Sequence, residues 1–172
     1  MEDISTFGLT AYLIATKTMP VGVLLNRWAD DADSVTVTEA EAGQAVLDLN
    51  GVVIRWTVAT PLTVSLGVIP NTTDDDILSV IYNSNRVSNV SGAVGDSINL
   101  VLRYPNGGVR VFTSGRVLSG PSAPTAKADG RMASNVYTYA FGDQYLLTPA
   151  AALNAVAQRL NIFGQLRSLT GL

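Results

Sequence analysis

The sequence predicts a mainly β chain with helices: an antiparallel β-barrel or sandwich with one packed helix and a C-terminal helical tail. Three observations carry this. Strand-like alternation of apolar and polar residues recurs from residue 9 to residue 142. Two Asn-Gly pairs, Asn50-Gly51 and Asn106-Gly107, lie between such runs, and Asn-Gly supplies the two positive-φ residues of a type I′ hairpin turn. One strong helix start interrupts the strands: Asn71-Thr72-Thr73 can cap the first amides, with Thr73 as the last capping residue, and Asp74, Asp75 and Asp76 complement the dipole of the first turn.

Taken in order, residues 1–29 hold two apolar strand runs (9–15 and 21–28) separated by Lys17-Thr18-Met19-Pro20. Asp30, Asp31 and Asp33 form a charged break, residues 34–38 alternate as a half-buried strand, and 39–43 read as a loop. AVLDLNGVVIRWTV is the first hairpin and LTVSLGVI the strand that follows it, so three antiparallel strands crossed by one helix are expected. Val52, Ile54, Trp56, Val58 and Thr60 share the face that should meet the helix, which makes Trp56 a core anchor. The helix, over about 73–85, presents Ile77, Val80 and Ile81 as its apolar stripe, and 87–95, rich in Ser, Asn and Gly, reads as a loop. Strands over 97–104 and 109–117 flank Pro105-Asn106-Gly107-Gly108, and 120–130 form a small, proline-bearing connector. Residues 134–142 are the expected last strand, with Tyr137, Tyr139 and Phe141 on one face and Val136, Thr138 and Ala140 on the other.

The tail changes character at Thr148-Pro149, a cap followed by a proline at the first helical position, which opens a helix over 150–160. Leu153, Val156, Ala157 and Leu160 share a face, and Phe163, Leu166 and Leu169 continue it. The division is therefore a β domain over 1–143 and a helical extension over 144–172, with Leu153, Val156, Leu160, Phe163, Leu166 and Leu169 as the surface that grips a neighbouring subunit.

The function classes narrow on what is missing. The 172 residues contain no histidine and no cysteine, which removes His-based triads, the commonest general base near neutral pH, thiolate chemistry and disulfides. Gly95-Asp96-Ser97 superficially matches a serine-hydrolase tripeptide but has no partner base and fits a loop-to-strand junction. The three acids at 74–76 could hold a hard cation, yet the EF-hand spacing is absent and the helix start explains them. Asp30, Asp31 and Asp33 read as a solvated turn, and Glu39, Glu41, Asp48 and Asp96 nominate no glycosidase pair. Gly107-Gly108 and residues 92–95 lack the lysine and helix of a phosphate loop, and the sequons at Asn71 and Asn89 are assigned to a cap and a loop. No enzyme activity, cofactor or metal is expected. The formal net charge is −3 and the basic residues are scattered singly, so no patch tracks a phosphate backbone. No apolar run suits a bilayer and Met1-Glu2-Asp3 does not open a signal peptide, so a soluble protein made in the cytoplasm, without membrane contact, is expected. With 47% apolar and 15% charged residues, apolar surface should meet partner subunits.

The order of AVLDLNGVVIRWTV, LTVSLGVIP, DDDILSVIYNSNR, GDSINLVLRYPNGG and RMASNVYTYAFGD resembles the bacteriophage tail tube family, whose relatives include the tube protein of type VI secretion. That resemblance implies a non-enzymatic virion protein. It forms a ring, usually of six subunits, whose sheets join edge to edge around a channel that DNA crosses without specific binding, with rings stacked end to end. Long strands with few charges would be an aggregation hazard in a monomer, and pairing their edges with an identical neighbour removes it. The helical extension departs from the family pattern and adds to the repeating tube subunit a second reading, a baseplate tube-adaptor or initiator ring of a contractile-tailed phage; the sequence leaves both open. Its partners would be copies of itself, the adjacent tail tube or baseplate hub, and sheath proteins. Its place would be the virion tail, assembled in the host bacterial cytoplasm. The rival is a β-sandwich glycan- or receptor-binding module, which requires an exposed aromatic cleft drawn from Tyr104, Tyr137 or Tyr139; core or interface packing accounts for the same rings.

Overall fold

The computed structural model describes residues 7–38, 43–47, 49–57, 60–91 and 95–147. Along them run β1 (Thr10–Ala15), β2 (Met19–Leu25), β3 (Val35–Val37), β4 (Gly43–Leu47), β5 (Val53–Thr57), β6 (Leu62–Val68), α1 (Thr73–Ser91), β7 (Ile98–Arg103), β8 (Val109–Ser119), β9 (Asn135–Phe141) and β10 (Asp143–Leu147). All pairings are antiparallel, and the single helix among the described residues makes the fold α+β.

One long sheet folds over on itself at β8. In the first leaf β2, β1, β7, the start of β8 and β10 lie side by side; in the second the end of β8 is followed by β9, β6 and β3. The corner has visible causes. Ser114 sits at φ 56 between the two halves of β8, inside the slip of the β7–β8 register between Phe112 and Gly115. A Cβ on Gly115 would come within 2.4 Å of the Phe141 ring and 2.7 Å of the Ile98 carbonyl, so only glycine lets the strand pass this close. β9 turns the same corner into β10 through Gly142, whose amide donates to the Thr113 carbonyl at 3.2 Å.

Inward-facing residues of both leaves meet in one core. β1 contributes Ala11, Leu13 and Ala15, β7 contributes Ile98, Leu100 and Leu102, β6 contributes Val64, Leu66 and Val68, and β9 contributes Tyr137, Tyr139 and Phe141, as its alternation predicted. The sheet does not close into a barrel among the described residues. Its ends meet only beyond β2, at the Trp28–Val68 bridge, with the Ala29 amide donating to the Gly67 carbonyl at 2.9 Å and the Ile69 amide to that of Arg27 at 3.1 Å. Trp28 half-buries against this core and donates from its indole to the Leu9 carbonyl at 2.6 Å.

Several expectations are corrected. β4 and β5 form a separate two-stranded sheet, and β6 pairs with β9 and β3 instead of continuing the meander. Val52 and Ile54 are exposed, not on a core face, and the surroundings of the Trp56 side chain and residues 58 and 59 lie outside the described residues. On α1 the buried face is Leu78, Ile81 and Asn85, flanked by half-buried Ile77 and Tyr82, while Val80 is 50% exposed. The helix continues through 87–91, expected as loop. The last described strand is β10, not β9, so residues 143–147 belong to the sheet rather than to a helical tail. No helix among the described residues is long and apolar enough to cross a membrane.

Candidate assembly surfaces

The β4–β5 hairpin carries the largest cluster of exposed apolar side chains. Val46 faces Ile54 across the strands and Leu47 faces Val53; these pairs lie on opposite faces of the hairpin, because successive side chains alternate. All four are exposed, as are Leu49 and Val52 in the loop between them, with Leu49 wholly so. Among the described residues neither strand packs substantially on an element other than its partner in the hairpin. A lone two-stranded hairpin is at best marginal in water, so an apolar one gains most from a partner's surface. Its loop is longer than expected: Leu47 pairs with Val53, and while Gly51 takes φ 78, Asn50 is not at positive φ, which excludes a type I′ turn. Asn106-Gly107 also departs from type I′. Gly107, at φ 84, donates to the Tyr104 carbonyl at 3.1 Å, and the Tyr104 amide donates to the Gly108 carbonyl at 2.9 Å. With Pro105 at the second position this is a type I turn closed by a glycine bulge.

The helix cap lies one residue earlier than Thr73. Thr72 accepts from the Asp76 amide at 3.0 Å with its carbonyl and from the Asp75 amide at 3.4 Å with its hydroxyl. The acids that follow serve the fold. Asp74 Oδ2 accepts from the Asn26 and Arg27 amides, both at 2.8 Å, and Asp75 Oδ1 from Asn135 Nδ2 and the Tyr137 hydroxyl, both at 2.8 Å. Burial, with Asp75 alongside, pushes the Tyr137 phenol up. Asp30 and Asp31 are likewise structural, ion-paired to Arg131 and Lys127 respectively. Through them the connector, which runs on past residue 130 as a small hairpin bridged at Ala126 and Met132, is held to the loop after β2. Hydrogen bonding to Lys127 holds the Asp31 carboxyl far below the ordinary range.

Asp96 is a buried junction. Its carboxylate accepts from the Lys17 amide (2.6 Å), the Thr18 amide (3.1 Å), the Thr18 hydroxyl (2.5 Å) and Asn85 Nδ2 (3.0 Å), and its amide donates to Asn85 Oδ1 (2.7 Å). It thus ties the β1–β2 turn, the helix and the start of β7 together. Burial raises its pKa, but these hydrogen bonds outweigh it and hold the carboxyl below its ordinary value. A depressed folded value contributes stability above the unfolded pKa and loses it as pH falls through the folded one. Asp96→Ala is therefore expected to cost about 3 kcal/mol at neutral pH, because several buried donors lose a charged acceptor. The gap to wild type should narrow in urea melts taken below pH about 4; a gap independent of pH would show that the charge is immaterial.

The fully buried Tyr139 hydroxyl has no hydrogen-bond partner among the described residues. Tyr139→Phe is expected to leave stability unchanged or raise it by up to about 1 kcal/mol, read as thermal midpoint, since a desolvated orphan group is removed. A clear loss would reveal a partner for that hydroxyl.

The aromatic cleft of the rival reading does not form from Tyr137 or Tyr139, both buried in the core. Tyr104 lines an open cleft of about 490 Å³ between the leaves, with Leu62, Arg110, Phe112 and Gln144. Thr148, Pro149, Leu153, Val156, Leu160, Phe163, Leu166 and Leu169 lie outside the described residues. The hairpin is what sequence reasoning missed as a candidate contact; its signal was present as an apolar run on both faces.

No curated protein matches the chain. Among solved structures, the baseplate of the anti-feeding prophage, 6-fold symmetrised, contains a similar chain: TM-score 0.56 at 9% identity, covering 86% of this chain and 97% of that one. The sheath/tube terminator of an extracellular contractile injection system in the extended state gives TM-score 0.53 at 9% identity, with 86% and 99% covered. At that identity the likeness is one of fold. The sequence profile of the tail fiber protein gp32 family matches residues 2–145, and on that match, spanning the sheet from end to end, the chain belongs to the tail fiber protein gp32 family.

Proposed function

We propose that the chain is a non-enzymatic structural subunit of a phage tail, which joins copies of itself into a ring around the tail channel at the tube or its baseplate end. The observation that carries this is the apolar β4–β5 hairpin, exposed on both faces and without a substantial seat among the described residues of its own subunit. The family match and the fold shared with baseplate and terminator chains support a place in the virion tail; assembly in the host bacterial cytoplasm completes the reading. A ring of six fits the 6-fold symmetry of the anti-feeding prophage baseplate. Hub, tube and sheath proteins are the other partners. A net charge of −3 with scattered basic residues suits a conduit that lets DNA slide rather than holding it. The last described strand is β10; on this reading the segment after it, residues 148–172, is a helical extension that would grip a neighbour through Leu153, Val156, Leu160, Phe163, Leu166 and Leu169. The test is mass by light scattering with negative-stain imaging. Wild type should give rings and the hairpin variant argued in the Discussion a folded monomer; a wild type monomeric at high concentration overturns the proposal.

A further inference from the structure

The two leaves of the sheet differ at their edges. The first ends at β2, which carries Pro20 and a register slip against β1, and at β10. Proline has no N–H to offer a neighbour, so β2 is blunted against strand addition. The second leaf ends at β3 and at the last residues of β8, 116–119, which pair with β9 on one side and with no strand on the other among the described residues. Neither edge contains proline. On β3 the alternation can be followed atom by atom: the Gly67 amide donates to the Ser34 carbonyl at 2.9 Å and the Thr38 amide to the Thr63 carbonyl at 2.8 Å. Ser34, Thr36 and Thr38 therefore turn their backbone groups toward β6, which leaves those of Val35 and Val37 aimed at the open side.

The outer faces differ as well. Across the first leaf the registers align Leu24, Tyr12, Val101, Val111 and Tyr145 in one apolar row. Across the second they align Thr36, Ser65, Thr138 and Ser119, with the Ser65 and Thr138 hydroxyls hydrogen-bonded at 3.0 Å. The neighbouring rows of that face add Thr63, Ala140 and the basic Arg116 on one side, and Val136 on the other, where the loop at Ala29 and Asp33 covers Gly67. An apolar lining narrows a channel's water column by dewetting and a basic one holds a polyanion, whereas neutral hydroxyls stay wet and bind neither.

We infer that the second leaf is the ring-forming one: β3 of one copy pairs with residues 116–119 of the next, and the Thr36–Ser65–Thr138–Ser119 face lines the channel. The inference rests on the ring proposed above and assigns its joint and its wall. The joint repeats head to tail from copy to copy, the arrangement that closes into a ring.

The wild-type chain has no cysteine, so introduced cysteines report cleanly. Rings of Thr36→Cys/Arg116→Cys and Thr36→Cys/Ser119→Cys, oxidised mildly, should give a ladder of covalent multimers in at least one variant. Val21→Cys/Tyr145→Cys, at the two edges of the first leaf, should stay monomeric on the same gel. In assembled rings Thr138→Cys should react with iodoacetamide but lose its reaction with maleimide-activated albumin, which reacts with the same variant as a monomer. Rings that ladder through Val21 and Tyr145, that ladder through neither pair, or that leave Thr138→Cys open to albumin overturn the inference. Failure of wild type to form any ring overturns the ring proposal itself, a result the cysteine variants cannot mimic.

Discussion

Phe141→Ala is expected to lower unfolding stability by about 3–5 kcal/mol, the range for removing a large buried aromatic ring. Phe141 is buried at the corner where β9 turns into β10, packs on Phe112 with ring centroids 5.4 Å apart at 47°, and lies against Gly115, where β8 changes leaf. Its loss opens a cavity and also unpins the two strands that turn the corner together, so relaxation should recover little. For a domain whose whole stability is about 5–15 kcal/mol, that is enough to depress the urea midpoint strongly. Gly115→Ala approaches the same contact from the other side, since the new methyl would overlap the Phe141 ring and the Ile98 carbonyl. The double variant should fall short of the sum of the two singles, because removing the ring relieves part of the overlap. Strict additivity, or a Phe141→Ala cost under about 1 kcal/mol, would mean that the corner is set elsewhere.

The fold class was legible in the residues because it rests on local signals. Alternation at 135–141 placed Tyr137, Tyr139 and Phe141 on the core side, where they lie, and Asn106-Gly107 marked a hairpin, although Pro105 changed its turn type. Strand partners were not legible. β6 finds β9 some seventy residues on, and nothing in LTVSLGVI distinguishes that partner from the hairpin beside it in sequence. The helix end was misjudged for a related reason: Ser, Asn and Val at 87–91 are weak helix formers, yet α1 runs through them. The preceding turn is anchored by Asn85, which donates to the Ile81 carbonyl at 2.7 Å and to Asp96 at 3.0 Å, and tertiary contacts override propensity. Asp96 shows how a site residue hides: between Gly95 and Ser97 it looks like a loop acid, and its donors at Lys17 and Thr18 come from the far end of the chain.

Val46→Asp/Ile54→Asp is expected to abolish ring assembly while leaving the isolated subunit as stable as wild type, within about 1 kcal/mol. The two side chains face each other on one side of the β4–β5 hairpin, are 53% and 51% exposed and lie outside the core, so the subunit's own core is left intact. Fully burying such a side chain contributes about 1.5–3 kcal/mol, and because each is already about half-buried in the isolated subunit an assembly gains about half of that from each; the pair then removes about 1.5–3 kcal/mol per interface, or one to two orders of magnitude in affinity. The new carboxylates add to the loss, since a charge carried into an apolar contact without a partner must be desolvated. Light scattering should report monomer at concentrations where wild type forms rings, and the two thermal midpoints should coincide. Leu47→Asp/Val53→Asp changes the opposite face of the same hairpin, so comparing the two variants tells which face is seated on the neighbour. Rings unaffected by either change would mean that the hairpin lies free in the assembly and that the subunits are held by their sheet edges alone.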